Sequence, residues 1–190
     1  YYREKFLELD NRTVGIFYKN SIAWPLIYLA ADTVCEKIFI FHSNLSESLV
    51  NELKERYSID LIVSSDDRDP DLKTNTVKKT KDIESNNNIA QHREDILFTS
   101  GTTGNSKAVR IDEKSFMYVA STLVNHFDQD IDDLELLSMP FGHSFGLVRL
   151  RAALLSGCSV LITDGLKDFP RIYEFSKTNK ITGLSFVPAA

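Results

Sequence analysis

VGIFYKNSIAWPLIYLAADTVCEKIFIF, residues 14–41, reads as a strand, a helix and a second strand. VGIFY (14–18) and KIFIF (37–41) are short apolar runs rich in β-branched and aromatic residues, as expected of strands buried on both faces. Between them, NSIAWPLIYLAAD (20–32) reads as a helix capped by Asn20 or Ser21, with Pro25 in the first turn, where a missing N–H is tolerated. A further helix runs from about Leu45 to Tyr57. Asn44 with Glu47 three residues on gives a capping-box pattern, and Leu49, Leu53 and Tyr57 recur at helical spacing. DLIV (60–63) closes a βαβαβ series.

Downstream, residues 64–92 are dominated by Ser, Asp, Asn, Lys and Thr and read as a polar surface excursion, not a boundary between two cored domains. Regular structure resumes at DILFTS (95–100), and AVRI (108–111) is expected to pair back on it after a glycine loop. A helix from about Glu113 to His126 precedes the strand LELLSM (134–139). A helix from about Phe145 to Leu155, ended by Gly157, leads to the strand SVLIT (159–163). Asp168 is positioned to cap a helix through Lys177, and GLSFV (183–187) is a last strand. Strands separated by helices of this length predict an α/β layered fold with a largely parallel sheet and flanking helices. The 190 residues suit one domain or a large piece of one. A chain that starts on Tyr1 and stops just past a buried strand is expected to be part of a longer protein.

Composition narrows the function classes. At 43% hydrophobic residues the chain has material for a core and is not expected to be disordered. The balance of 22 basic against 27 acidic residues, net −5, argues against a nucleic-acid binder; Lys78, Lys79 and Lys81 read as a solvated loop. No apolar run approaches the ~18–20 residues that span a bilayer, and YYREKFLELD does not resemble a signal peptide, so a cytoplasmic location is expected. Cys35 and Cys158 lie far apart beside apolar stretches and read as buried thiols. His42, His92, His126 and His143 are scattered without a zinc spacing, so a metal held by protein ligands alone is not expected.

ILFTSGTTGNSKAV (96–109) carries the most chemistry. A buried strand delivers Gly101 and Gly104, which permit close approach, the hydroxyls of Thr99, Ser100, Thr102, Thr103 and Ser106, and the charge of Lys107. Together these make an anion cradle suited to a polyphosphate. A Walker loop is poorly supported, because only two residues separate the glycines and a strand-like AVRI follows Lys107; GxGxxG fails as well. An ordinary hairpin turn would account for the glycines but not for the density of hydroxyls or the lysine.

FTSGTTGNSKAV (98–109) resembles the phosphate-binding signature of the adenylate-forming superfamily: acyl-CoA and aryl-CoA ligases, adenylation domains of nonribosomal peptide synthetases and beetle luciferases. That pattern, aromatic-Thr-Ser-Gly-Thr-Thr-Gly-x-Pro-Lys-Gly, is matched through Gly104 and at Lys107, with Ser106 in place of Pro and Ala108 in place of Gly. MPFGHSFGL (139–147) with ALLSGCSVLI (153–162), VGIFYKNS near the start and GLSFVPA (183–189) resemble further family segments in the expected order.

The resemblance implies that Thr99, Ser100, Gly101, Thr102, Thr103, Gly104 and Lys107 wrap the β- and γ-phosphates of ATP, with the Thr103 hydroxyl near Mg²⁺. It implies that His143 stands at the mouth of a carboxylate pocket, and that Lys107 and His143 are the catalytic side chains. The implied reaction activates a carboxylic acid as its acyl-adenylate with release of pyrophosphate, then transfers it to CoA or to the phosphopantetheine of a carrier protein. The amino-acid-activating branch prefers Phe-Asp where this chain has Gly142-His143, which favours a fatty, aryl or other simple acid. An amino-acid-activating adenylation domain and a non-catalytic nucleotide-binding or interaction module are the alternatives. The family's aromatic-Gly-x-Thr-Glu segment, ribose-binding Asp and late catalytic Lys do not occur here. These residues thus resemble a partial N-terminal domain, about a third of an enzyme, expected to be inactive alone.

Overall fold

The computed structural model describes residues 1–64, 93–99, 106–167 and 169–186. It opens with α1 (Tyr2–Leu7), too short to leave a helical pattern in the sequence and held to the body by the buried Phe6. The βαβαβ series follows: β1 (Thr13–Phe17), α2 (Ala23–Asp32), β2 (Lys37–Ile40), α3 (Glu47–Arg56) and β3 (Leu61–Ser64). Next come β4 (Glu94–Thr99), β5 (Lys107–Asp112), α4 (Glu113–His126), β6 (Leu134–Leu137), α5 (Ser144–Ser156), β7 (Ser159–Ile162), α6 (Phe169–Thr178) and β8 (Gly183–Leu184).

Two of the expected helix caps are corrected. α2 begins one residue past Ile22 with no side-chain cap, because Asn20 spends its amide elsewhere: its Nδ2 donates to the Met139 carbonyl and its Oδ1 accepts from the Phe141 N–H. The cap of α3 is Ser46, whose Oγ accepts from the Leu49 N–H, and not the Asn44–Glu47 box. The cap expected of Asp168 and most of the 64–92 excursion lie outside the described residues. The buried strand expected over 183–187 is corrected: β8 ends at Leu184, Leu184 and Phe186 are exposed, and residue 187 lies outside the described residues. Cys35 is buried as expected, and burial pushes its thiol up to about 12, whereas Cys158 is only half-buried and accepts from Gln129 Nε2 at 3.2 Å.

The strands form two sheets, one ordered β3-β1-β2-β4-β5 and the other β7-β6-β8. All pairings are parallel except β4 with β5. From β1 the chain steps to β2 on one side and then back to β3 on the other, so right-handed crossovers place α2 and α3 on opposite faces. The side chains of β2 record this with the two-residue strand period. Ile38 and Ile40 join Trp24 and Ile27 of α2, while Phe39 and Phe41 join Val50 and Leu53 of α3. Asp60, just before β3, accepts from the Asn11 and Thr13 backbone N–H groups at 3.0 Å each and from Asn11 Nδ2 at 2.9 Å.

α5 ties the two sheets together. Gly146 through Ala153 are all buried, so this helix has no polar face. Arg149 and Arg151, two positions and so about 200° apart around the axis, leave it in opposite directions. Arg149 grips Glu135 of β6, with Nε 2.7 Å from Oε1 and Nη2 on Oε2, and Gln129 Nε2 donates to the same carboxylate at 2.7 Å. Arg151 Nη2 lies 2.9 Å from Asp95 Oδ2 of β4, and Arg151 also donates to the Tyr28 hydroxyl of α2, which in turn donates to Asp95 at 2.6 Å. Arg93 joins the same group through Asp32 and Asp95. Glu135 and Asp95 are 0–1% exposed and each faces guanidinium donors, the condition under which a buried charge is tolerable, whereas Asp32 is 34% exposed and Asp95 Oδ1 finds no hydrogen-bond partner among the described residues.

Two outcomes are expected. Arg149→Leu should destabilise the fold by about 3–5 kcal/mol because Glu135 is left buried without its counter-charge, and Arg149→Leu combined with Glu135→Leu should recover much of that loss in urea unfolding. For Asp60, burial acts to raise the carboxyl, but the hydrogen bonds from Thr13 and Asn11 outweigh it and hold the group below the ordinary range. A depressed folded value contributes stability above the unfolded pKa, about 3.9, that is lost as pH falls through the folded one. Stability measured between neutral pH and acid should therefore fall less steeply in Asp60→Asn than in the parent.

Candidate functional site

β4 and β5 form the hairpin expected around the glycine loop. Their register runs from Glu94 opposite Asp112 to Thr99 opposite Lys107, so Thr99 and Lys107 close its open end. The Thr99 Oγ faces the Lys107 carbonyl at 3.5 Å, a long contact, and both residues are exposed. Ser100, Gly101, Thr102, Thr103 and Gly104 lie outside the described residues. Among the described residues Lys107 makes no ion pair, unlike Arg110 on the same strand, which reaches Glu94 at 3.0 Å.

The carboxyl end of β2 lies beside that hairpin end. β2 and β4 are parallel with Ile40 level with Leu97, and one step on the rings of Phe41 and Phe98 stack with centroids 4.9 Å apart. His42 follows Phe41 and so emerges at the end of the sheet that carries Thr99 and Lys107. Because α2 and α3 leave β1 and β2 toward opposite faces, the ends of these two strands form a topological switch point, the crevice position at which α/β sheets place their ligands.

The loop between β6 and α5 is seated in that crevice. Asn20, after β1, holds it through Met139 and Phe141, and the buried Phe141 packs on Trp24 with ring centroids 5.1 Å apart. A glycine is required at the contact itself. A Cβ on Gly142 would lie 2.7 Å from the Phe41 carbonyl oxygen and 2.8 Å from His42 Cα; one on Gly146 would lie 2.2 Å from the Pro140 carbonyl oxygen. The backbones therefore touch, and His143, at the N-cap of α5, is delivered against His42. The two imidazoles meet edge to face with centroids 4.3 Å apart.

His143 is exposed, and no side chain caps α5. His42 is half-buried, and its Nδ1 accepts from the Asn44 N–H at 3.1 Å. Burial pushes His42 below the ordinary histidine range, and His143 pushes in the same direction. The sequence treats His42 as one of four scattered histidines, because no local spacing links residues joined only through β2 and the β6–α5 loop. Thr99, Lys107 and His42 thus lie at one end of the five-stranded sheet, and the β6–α5 loop of the second sheet brings His143 against His42.

The chain belongs to the AMP-binding enzyme family, whose model matches residues 32–190. Over 100 residues it is 32% identical to N-(5-amino-5-carboxypentanoyl)-L-cysteinyl-D-valine synthase of Penicillium rubens, covering 50% of this chain and 3% of that protein. Phenyloxazoline synthase MbtB of Mycobacterium tuberculosis is 28% identical over 95 residues, 49% of this chain and 7% of that one. In fold it is similar to the N-terminal domain of FACL13 from Mycobacterium tuberculosis (TM-score 0.73, 16% identity, 93% of this chain and 50% of that one). It is similar also to O-succinylbenzoate coenzyme A synthetase from Bacillus subtilis, solved with ATP and magnesium (TM-score 0.70, 16% identity, 96% and 54%). The chain thus spans a small fraction of these curated relatives and about half of these solved structures. The likeness extends across both sheets and confirms the layered α/β fold of an adenylate-forming enzyme's N-terminal domain. No helix among the described residues is long and apolar enough to cross a membrane.

Gly142→Ala is expected to cost about 1–3 kcal/mol through overpacking at the crevice and to move the His143 ring away from His42. Urea unfolding and the loss of nuclear Overhauser contacts between the two rings would show it, and an unchanged stability would contradict the close approach.

Proposed function

We propose that this chain is the part of an ATP-dependent, acid-activating ligase that holds the triphosphate and receives the carboxylate. The observation that carries this reading is the placement of Thr99 and Lys107, at the ends of the glycine loop, at the same end of the five-stranded sheet as His42, against which His143 is brought. Lys107 fits a polyphosphate: it is an exposed point charge at a strand end, beside a loop rich in hydroxyls, with no carboxylate among the described residues to neutralise it. In this reading Ser100 to Gly104 would supply the rest of the cradle, and Thr103 would offer a hydroxyl to Mg²⁺. When bound, Mg²⁺ offsets triphosphate charge.

The chemistry asks little more of these residues. A carboxylate is ionised at pH 7, so its attack on the α-phosphorus needs no general base. What is needed is to hold the attacking oxygen in line and to offset charge on the departing pyrophosphate. Lys107 supplies positive charge at the phosphate end. His143 receives the carboxylate at the crevice, whose backbone spacing Gly142 and Asn20 fix. Pyrophosphate leaves and the acyl-adenylate remains, to be passed to the thiol of CoA or of a carrier-protein phosphopantetheine.

His143 in place of an acidic residue favours a simple acid, fatty or aryl. The identity to a peptide-forming synthase of Penicillium favours a second reading, activation of an amino acid for a carrier-bound thiol. Exchange assays that compare simple carboxylates with amino acids separate the two, and a protein that binds ATP yet activates neither would be the non-catalytic module. The 190 residues alone are proposed to bind without completing adenylation, so carboxylate-dependent pyrophosphate release by them would refute that part.

Lys107→Ala, in the longest gene product that shows carboxylate-dependent ATP–pyrophosphate exchange, should lower the rate by about 10²–10³-fold, the usual loss of one such charge-stabilising donor. Its thermal stability should stay near that of the parent, because the side chain is exposed. An unchanged rate contradicts the assignment.

A further inference from the structure

His42 takes part in neither the phosphate cradle nor the acid-activation scheme above, yet three independent contacts fix it. Its Nδ1 accepts the Asn44 N–H at 3.1 Å, its ring meets that of His143 at 4.3 Å, and its Cα is where a side chain at Gly142 would collide, at 2.8 Å. The first contact decides its proton. A ring nitrogen that accepts a backbone N–H carries no hydrogen, so the neutral His42 is the Nε2–H tautomer. To become imidazolium, it would turn Nδ1 into a donor facing another donor, and it would place a positive charge against a second imidazole.

We propose that His42 is a positioning residue for His143, held as the neutral Nε2–H tautomer at neutral pH by the Asn44 N–H, so that the two rings do not both carry a positive charge there. The inference rests on the reading of this crevice as the carboxylate's entrance. His42 offers a fixed neutral ring against which His143 is oriented. The groups around the pair agree. The turn after His42 contributes the uncharged Ser43 and Asn44, and among the described residues His143 is the only titratable group that acts on His42. The N-terminus of α5, on the His143 side, adds positive potential that favours an entering carboxylate.

The test is a pH titration of the imidazole nitrogens of the protein by NMR. His42 should show an unprotonated Nδ1 at neutral pH and a midpoint below the ordinary histidine range, and His143→Gln should raise that midpoint by about 0.7 pH unit, the Coulomb interaction of two charges at this distance in water. His42→Asn, which keeps an acceptor for the Asn44 N–H but cannot titrate, should leave one simple His143 titration. In His42→Ala the His143 ring signals should broaden or move as orientation is lost. The proposal is overturned if His42 carries its proton on Nδ1 at neutral pH, or if its midpoint is ordinary and indifferent to His143→Gln. These readings need no turnover, so a failure of the acid-activation reading would appear separately, as an absence of carboxylate-dependent exchange with the pair's titration intact.

Discussion

A helix buried on every side that carries two arginines is the constraint on which this structure depends. α5 can occupy its place between the sheets only if both guanidinium groups are met, and they are met from opposite directions: Arg149 by Glu135 of the second sheet, Arg151 by Asp95 and Tyr28 of the first layer. Each pair is costly to assemble and costlier to break, because removal of one member strands a charge where water cannot reach it. The arrangement therefore contributes less to net stability than to specificity of placement, since few other dockings of α5 satisfy both arginines.

The functional edge follows from that placement. α5 begins at His143, and the loop before it is held against the ends of β1 and β2 by Asn20, Phe141 and the bare backbone of Gly142. Asp95, which receives Arg151, belongs to the strand whose far end is Thr99. One helix is thus fixed at its middle to the strand that leads into the glycine loop, and at its start to the ends of β1 and β2 beside it. The distance between the two halves of the site is set by buried contacts and not by the loops.

Much of this was legible in the sequence. The alternation from Val14 to Val63, the return strand at Ala108 and the helix ended by Gly157 announce themselves through periodicity and glycine chemistry. The hydroxyl-rich loop closed by Lys107 carries the resemblance to adenylate-forming enzymes, and the family match and the fold agree with it. What was hidden depends on long-range partners. Arg149 and Arg151 look like surface residues until Glu135 and Asp95 arrive beside them. Asn20 looks like a helix cap but serves a loop about 120 residues away. The split into two sheets has no local signature, because a parallel strand reads the same in either. His42 and His143 are a hundred positions apart and meet only because a glycine lets two backbones touch.

On the function proposed, a triphosphate is held at the open end of the β4–β5 hairpin. Amide NMR of the protein titrated with magnesium–ATP is the measurement to make. A saturable perturbation centred on Phe98, Thr99, Lys107 and Ala108, with β7 and α6 unaffected, is expected. No saturable change, or one centred on another part of the fold, would contradict it.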